Sequence, residues 1–201
     1  MSIYALKFSY VAVCFIIALT TFYFSHSKKD WLCLSAALAL TLISDYFLVL
    51  THNHAVGVFL FCFVHIAYLL RISGNKDKSL AGIWAAALAG AALYVVILII
   101  PIFPGLNLLL SLAAVYALLF LQNLVAHIKY YRSNNEGELP KFNKGLILAG
   151  LILFALCDIH VMLFNLPNFV QVPQFVSTWG RAWIWVFYAP SQMLLSLSAV
   201  K

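Results

Sequence analysis

Two aspartates stand where charge is expensive. Asp45 lies in "LTLISDYFLVL" and Asp158 in "LILFALCDIHVML", each flanked on both sides by apolar residues. A carboxylate near the centre of a bilayer costs roughly 2.5–3.5 kcal/mol on insertion scales, so it is kept neutral, paired or open to a water-filled cavity. Two carboxyl groups sharing one such site suit acid–base chemistry, because both do not easily ionise together and one retains a proton. The other four acidic residues, Asp30, Asp77, Glu136 and Glu138, fall in polar connections beside basic residues, where a solvated role suffices.

The elements that must position Asp45 and Asp158 are membrane helices. Of 201 residues, 65% are hydrophobic and only 9% charged. A soluble domain is nearer a quarter charged and could not cover its surface with so few polar groups. The net charge of +6 sits in short connections and not in a patch, which fits topological signals and anionic headgroups and argues against a nucleic-acid partner. Cys14, Cys33, Cys62 and Cys157 all fall within apolar segments with no CxxC pair, so they read as packing residues. The first apolar run has no basic segment before it and no clear cleavage motif, and reads as a retained helix.

About 20 apolar residues cross the hydrocarbon core. Seven segments qualify, at about 4–24, 31–51, 55–72, 80–100, 105–127, 143–165 and 176–200. The expected fold is therefore all-α, a single domain over 1–201 and a bundle of about seven transmembrane helices. That count sorts ten Lys and Arg to one side, from Lys28 through Arg71 and Lys144 to Lys201, and leaves only Lys7 and Arg181 on the other. The asymmetry places the N-terminus outside and the C-terminus in the cytoplasm. Lys7 and Arg181 lie within apolar segments, where a basic side chain either snorkels to the headgroups or serves a site.

With that orientation the second and sixth spans both run outward. Each aspartate lies about fifteen residues along its span, some 22 Å from the inner boundary at ~1.5 Å per residue. Equal depth permits the two carboxyls to face one cavity; the alternative is two separate polar contacts between helices. Thr41 shares a face with Asp45, and Asn165 with Asp158. His65 and Tyr68 share a face of the third span, and Arg181, Tyr188 and Gln192 descend the seventh. A lone His65 is otherwise a hydrogen-bonded packing histidine. His160 falls on another face from Asp158, and His26, His52, His54 and His127 read as loop or boundary residues.

These residues also resemble a family. "LISDYFLVL" followed by "FCFVHIAYLL", with Phe61, His65 and Tyr68 in a Phe-x-x-x-His-x-x-Tyr pattern, looks like the YhhN-like lysoplasmalogenases. "GLILFALCDIHVMLFN" is similar to that family's second acidic helix, "YAPSQMLLSLS" to its final Tyr-x-x-x-Gln helix, and "LKF" to a lysine that opens one of its helices. The likeness spans about residues 7 to 198. Ser44 and Cys157 depart from the family's glycine and serine before the two aspartates, and the usual first of eight spans is missing.

The resemblance implies an intramembrane hydrolase that cleaves the vinyl ether bond of a lysoplasmalogen, a lysophospholipid, to a fatty aldehyde and a glycerophospho-ethanolamine or -choline. Such a bond breaks when the distal alkene carbon is protonated and water traps the oxocarbenium ion. That needs one carboxylic acid and one carboxylate, which Asp45 and Asp158 would supply in either order. His65, Tyr68, Asn165, Tyr188 and Gln192 would line the substrate site, and Lys7 or Arg181 would receive the phosphate. The chemistry calls for no metal or other cofactor. The expected location is a bacterial inner membrane or an equivalent eukaryotic membrane, as a multi-pass protein among its lipids. A proton-coupled transporter would use the same aspartates, although the sequence has no inverted repeat. A seven-span zinc hydrolase would need three histidines, and the last span has none. A structural membrane protein without activity is the remaining reading.

Overall fold

The computed structural model describes residues 3–72, 108–133, 139–168 and 170–200. Among these are six α-helices: α1 (Ile3–Thr20), α2 (Lys28–Asp45), α3 (His54–Ile72), α4 (Leu108–Arg132), α5 (Lys141–Asn165) and α6 (Gln174–Leu197). The expected span at 80–100 lies outside the described residues. Five stretches are long and apolar enough to cross a membrane: Ala5–Phe24, Lys28–Leu50, His54–Ile72, Ser111–Arg132 and Lys141–Asn168. The sixth helix, α6, has the length, but its tryptophans, Arg181, Gln192 and serines hold its hydropathy down.

The described helices pack in a closed ring in chain order, with α6 returning against α1 and α2 touching α6 across the interior. Neighbours α2 and α3 are antiparallel. Gly57 of α3 sits against Leu48 and the Ser44 carbonyl at one end, and Arg71 meets Asp30 at the other. Helices α3 and α4 run parallel, since Phe61 faces Tyr116 (6.2 Å between ring centroids) and His65 faces Phe120 (4.6 Å). Lipid tails are as apolar as leucine, so association rests on close packing and interhelical hydrogen bonds. A Cβ at Gly180 would stand 2.7 Å from the Phe164 nitrogen and 2.8 Å from the His160 carbonyl oxygen of α5, so only glycine fits that crossing. Ser191 of α6 donates to the Gly150 carbonyl of α5 at 2.9 Å.

Two helices are irregular near the site. Immediately after Asp45, α2 continues as a π-turn over Tyr46–Leu50, a widening often found at functional positions. Pro190 lies inside α6 and removes one backbone donor there. The Tyr10 hydroxyl of α1 donates to the adjacent Ala189 carbonyl at 2.8 Å.

Two sequence expectations are corrected. Asp30 is not solvated. Helix α2 begins at Lys28, which puts Asp30 in its first turn and buries it against α3. There both Asp30 oxygens accept from Arg71, from Nε at 2.5 Å and from Nη2 at 3.0 Å, and Arg71 Nη1 donates to Ser198 Oγ at 2.7 Å. An acid at a helix start and a base near a helix end also suit the helix dipoles. His127 is not a boundary residue either. The fourth described helix runs to Arg132, five residues past the expected end, and His127 is buried within it.

Candidate active site

Asp45 ends α2 and points into the ring, 4% exposed. Its Oδ2 accepts from the Tyr188 hydroxyl of α6 at 2.6 Å. Asp158, half-buried on α5, is held in the same way, its Oδ2 accepting from the Tyr116 hydroxyl of α4 at 2.6 Å. Neither Oδ1 carries a hydrogen bond among the described residues. The two pairs belong to one aromatic cluster: the Tyr188 ring meets Phe154 (5.7 Å between centroids), Phe154 meets Phe120 (5.7 Å), and Phe120 stacks on Tyr116 (6.1 Å). Phe154 also lies 5.8 Å from the His65 ring.

His65 borders this cluster. Its ring is 5.0 Å from Tyr116 and stacks on Phe120. Asn123 Nδ2 lies 3.0 Å from His65 Nδ1, so Nδ1 accepts and a neutral ring carries its proton on Nε2. Tyr68, one turn further along α3, is fully buried, and its hydroxyl has no hydrogen-bond partner among the described residues. Gln192, one turn beyond Tyr188, is fully buried, and neither amide atom has a partner among the described residues. Both lie away from the carboxyls, toward the Arg71 end of the ring.

The basic pair marks the opposite end. Lys7 Nζ sits 4.8 Å over the Trp185 ring, and Arg181, one turn before Trp185 on α6, is exposed and within electrostatic reach of Lys7. Both cations lie beside the half of the ring that contains the two aspartates. Asn165 is not brought into this group, because its Nδ2 donates to the Val161 carbonyl of its own helix at 2.8 Å. Thr41 likewise donates within α2, to Ala37. His160 Nδ1 donates to the Leu156 carbonyl at 2.7 Å, and its ring packs against Phe187, away from the carboxyls.

Sequence reasoning missed Tyr116 and Asn123, whereas Cys157 is buried in the core as expected. Tyr116, Asn123 and His127 recur at i, i+7 and i+11 in an otherwise apolar segment, a one-faced polar stripe that could have been read. Among the described residues no three His, Cys, Asp or Glu side chains are grouped as metal ligands would be.

No curated protein and no solved structure matches the chain. The model of one family does, over residues 3–199, nearly the whole length and all the residues just described, and the chain belongs to the YhhN family.

Proposed function

We propose that the protein is a membrane hydrolase that cleaves the vinyl ether bond of lysoplasmalogens, with Asp45 and Asp158 as its acid–base pair. The carrying observation is that two intramembrane carboxyls, each held through one oxygen by a tyrosine hydroxyl, converge on one aromatic-lined cluster. Family membership supports a hydrolase of this type.

One carboxylic acid delivers its proton to the distal alkene carbon, the alkene π pair forms the new C–H bond, and a lone pair of the ether oxygen stabilises the cation left at the ether carbon as an oxocarbenium ion. The second carboxyl, ionised, faces that charge and takes a proton from the attacking water. The hemiacetal then moves its hydroxyl proton to the ether oxygen and falls apart to aldehyde and glycerophospho-alcohol. The acid has lost a proton and the base has gained one, so a transfer between the two carboxyls restores the start. The Tyr116 and Tyr188 hydroxyls orient the carboxyls, leaving each Oδ1 for substrate or water. Lys7 and Arg181 receive the phosphate, and the alkenyl chain runs from there into the apolar interior. A membrane topology of seven crossings with the N-terminus outside accords with the parallel course of α3 and α4, and puts the Lys7–Arg181 edge at the outer headgroups.

The test is aldehyde release from purified protein given lysoplasmenyl-ethanolamine and lysoplasmenyl-choline, with acyl lysophospholipids as controls. Release from the vinyl ether lipids alone is the expected result. Uptake of a solute into proteoliposomes without any aldehyde would replace this reading with a carrier.

A further inference from the structure

Along the neighbouring helices α3 and α4, four buried side chains carry polar atoms without hydrogen-bond partners among the described residues. They are His65 Nε2, Tyr68 Oη, Asn123 Oδ1 and His127 Nε2, on residues that are at most 1% exposed. Buried polar atoms are ordinarily satisfied, so four orphans along two neighbouring helices call for a ligand. Their hydrogen-bonding roles narrow its chemistry. His65 Nδ1 accepts from Asn123, which leaves Nε2–H as a donor. His127 Nδ1 faces the Asn123 carbonyl at 2.9 Å and must donate, which leaves Nε2 as an acceptor. Asn123 Oδ1 accepts, and a tyrosine hydroxyl does either. One donor, two acceptors and one group of either kind demand a small molecule that both gives and takes hydrogen bonds; a lipid tail does neither.

The groups are also continuous. The His65 ring touches Tyr116, the partner of Asp158. His127 is within electrostatic reach of both His65 and Arg71, and Tyr68 is within reach of Arg71. Arg71 and Asp30 close the far end, and Lys28 and Lys29, beside Asp30 in the chain, are already exposed.

We propose that the α3–α4 seam holds a file of bound water between the Tyr116–Asp158 pair and the Arg71–Asp30 pair, and that this file supplies the water consumed in hydrolysis. Intramembrane ionisable and polar groups that face water are the usual lining of such paths, and a buried water needs the two to four polar partners these side chains offer. The lipid thus enters from the Lys7–Arg181 end and water from the other, so the substrate does not block its own co-reactant. The file stands on the unpartnered atoms alone; its role as water supply rests on the proposed reaction.

Radiolytic hydroxyl-radical footprinting of the unmodified protein in nanodiscs decides the first point, because radicals form in bound water and mark adjacent side chains. Tyr68 and His127 are expected to be oxidised, after correction for intrinsic reactivity, well above the equally buried Leu151 and Leu195. Protection equal to those leucines overturns the file. Kinetics decide the second. Asn123→Leu and His127→Leu should each lower kcat for aldehyde release roughly tenfold while leaving the lipid KM within about twofold. His127→Gln, which keeps an acceptor, should recover most of the rate. Leucine variants with wild-type kcat, or a glutamine variant as slow as leucine, overturn the supply role. If wild-type protein releases no aldehyde, the reaction is wrong, and footprinting still decides the file.

Discussion

Asp30 and the Asp45–Asp158 cluster are opposite uses of a buried carboxylate in one small bundle. At the Arg71 end, both oxygens of Asp30 are taken by a guanidinium that is itself anchored to Ser198. Charge is matched, geometry is bidentate, and no oxygen remains for a substrate. At the other end each carboxyl meets a neutral tyrosine through one oxygen and keeps the other free of hydrogen bonds among the described residues. A cationic partner turns an acid into a brace, whereas a single neutral donor positions it and leaves its proton chemistry available. Burial alone does not separate the two, because Asp30 and Asp45 are 5% and 4% exposed.

The comparison is broken most directly by exchanging the acids for amides. Asp45→Asn and Asp158→Asn should each reduce aldehyde release by about 10³-fold or more, since general acid and base each contribute on the order of 10²–10⁴, while circular dichroism and gel filtration stay as in the wild type. Near wild-type turnover in either variant would dismiss the two-carboxylate mechanism. Asp30→Asn should do the reverse. Removing one partner of a buried ion pair costs about 3–5 kcal/mol, so thermal unfolding should drop markedly in a protein that still turns over at low temperature. The paired change Asp30→Asn with Arg71→Met should regain much of that loss, because no uncompensated charge is left buried. A double variant as unstable as the single one would mean that Asp30 does more than brace.

Smaller effects sharpen the contrast. Tyr116→Phe and Tyr188→Phe keep the rings and remove the donors to Asp158 and Asp45. A hydrogen bond to a charged group contributes ~1.5–3 kcal/mol, so kcat should fall roughly ten- to a hundredfold with little change in KM. Rates equal to wild type would show that the tyrosines only fill space. The least effect belongs to the rim. Lys7→Ala or Arg181→Ala should raise the lipid KM a few-fold, with kcat retained and the effect diminished by added salt, as for exposed charges that act through a screened field.

Much of this was legible in the residue order, for reasons that can be named. Asp45 and Asp158 stand out because so few charges interrupt long apolar segments, and an exception of that cost has few bland explanations. Tyr188 and Gln192 share a helical face by their spacing alone, and the structure buries both. Asn165 also satisfies the spacing, yet its amide turns back to Val161, because a short polar side chain with no neighbour bonds its own helix. Asp30 failed in the other direction. Beside Lys28 and Lys29 it has the local look of a solvated loop, and the Arg71 that buries it is 41 residues away.

Composition alone fixes the solvent and the repertoire: a chain this apolar forms membrane helices, and few ionisable groups fall within them. Pairing comes from the packed helices. Helical periodicity states which residues share a face but not which face meets which, because that is set by close packing between helices, at contacts such as Gly57, Gly150 and Gly180. Hence the tyrosine that holds Asp158, the arginine that neutralises Asp30 and the unpartnered polar seam between them appear only once the ring is closed.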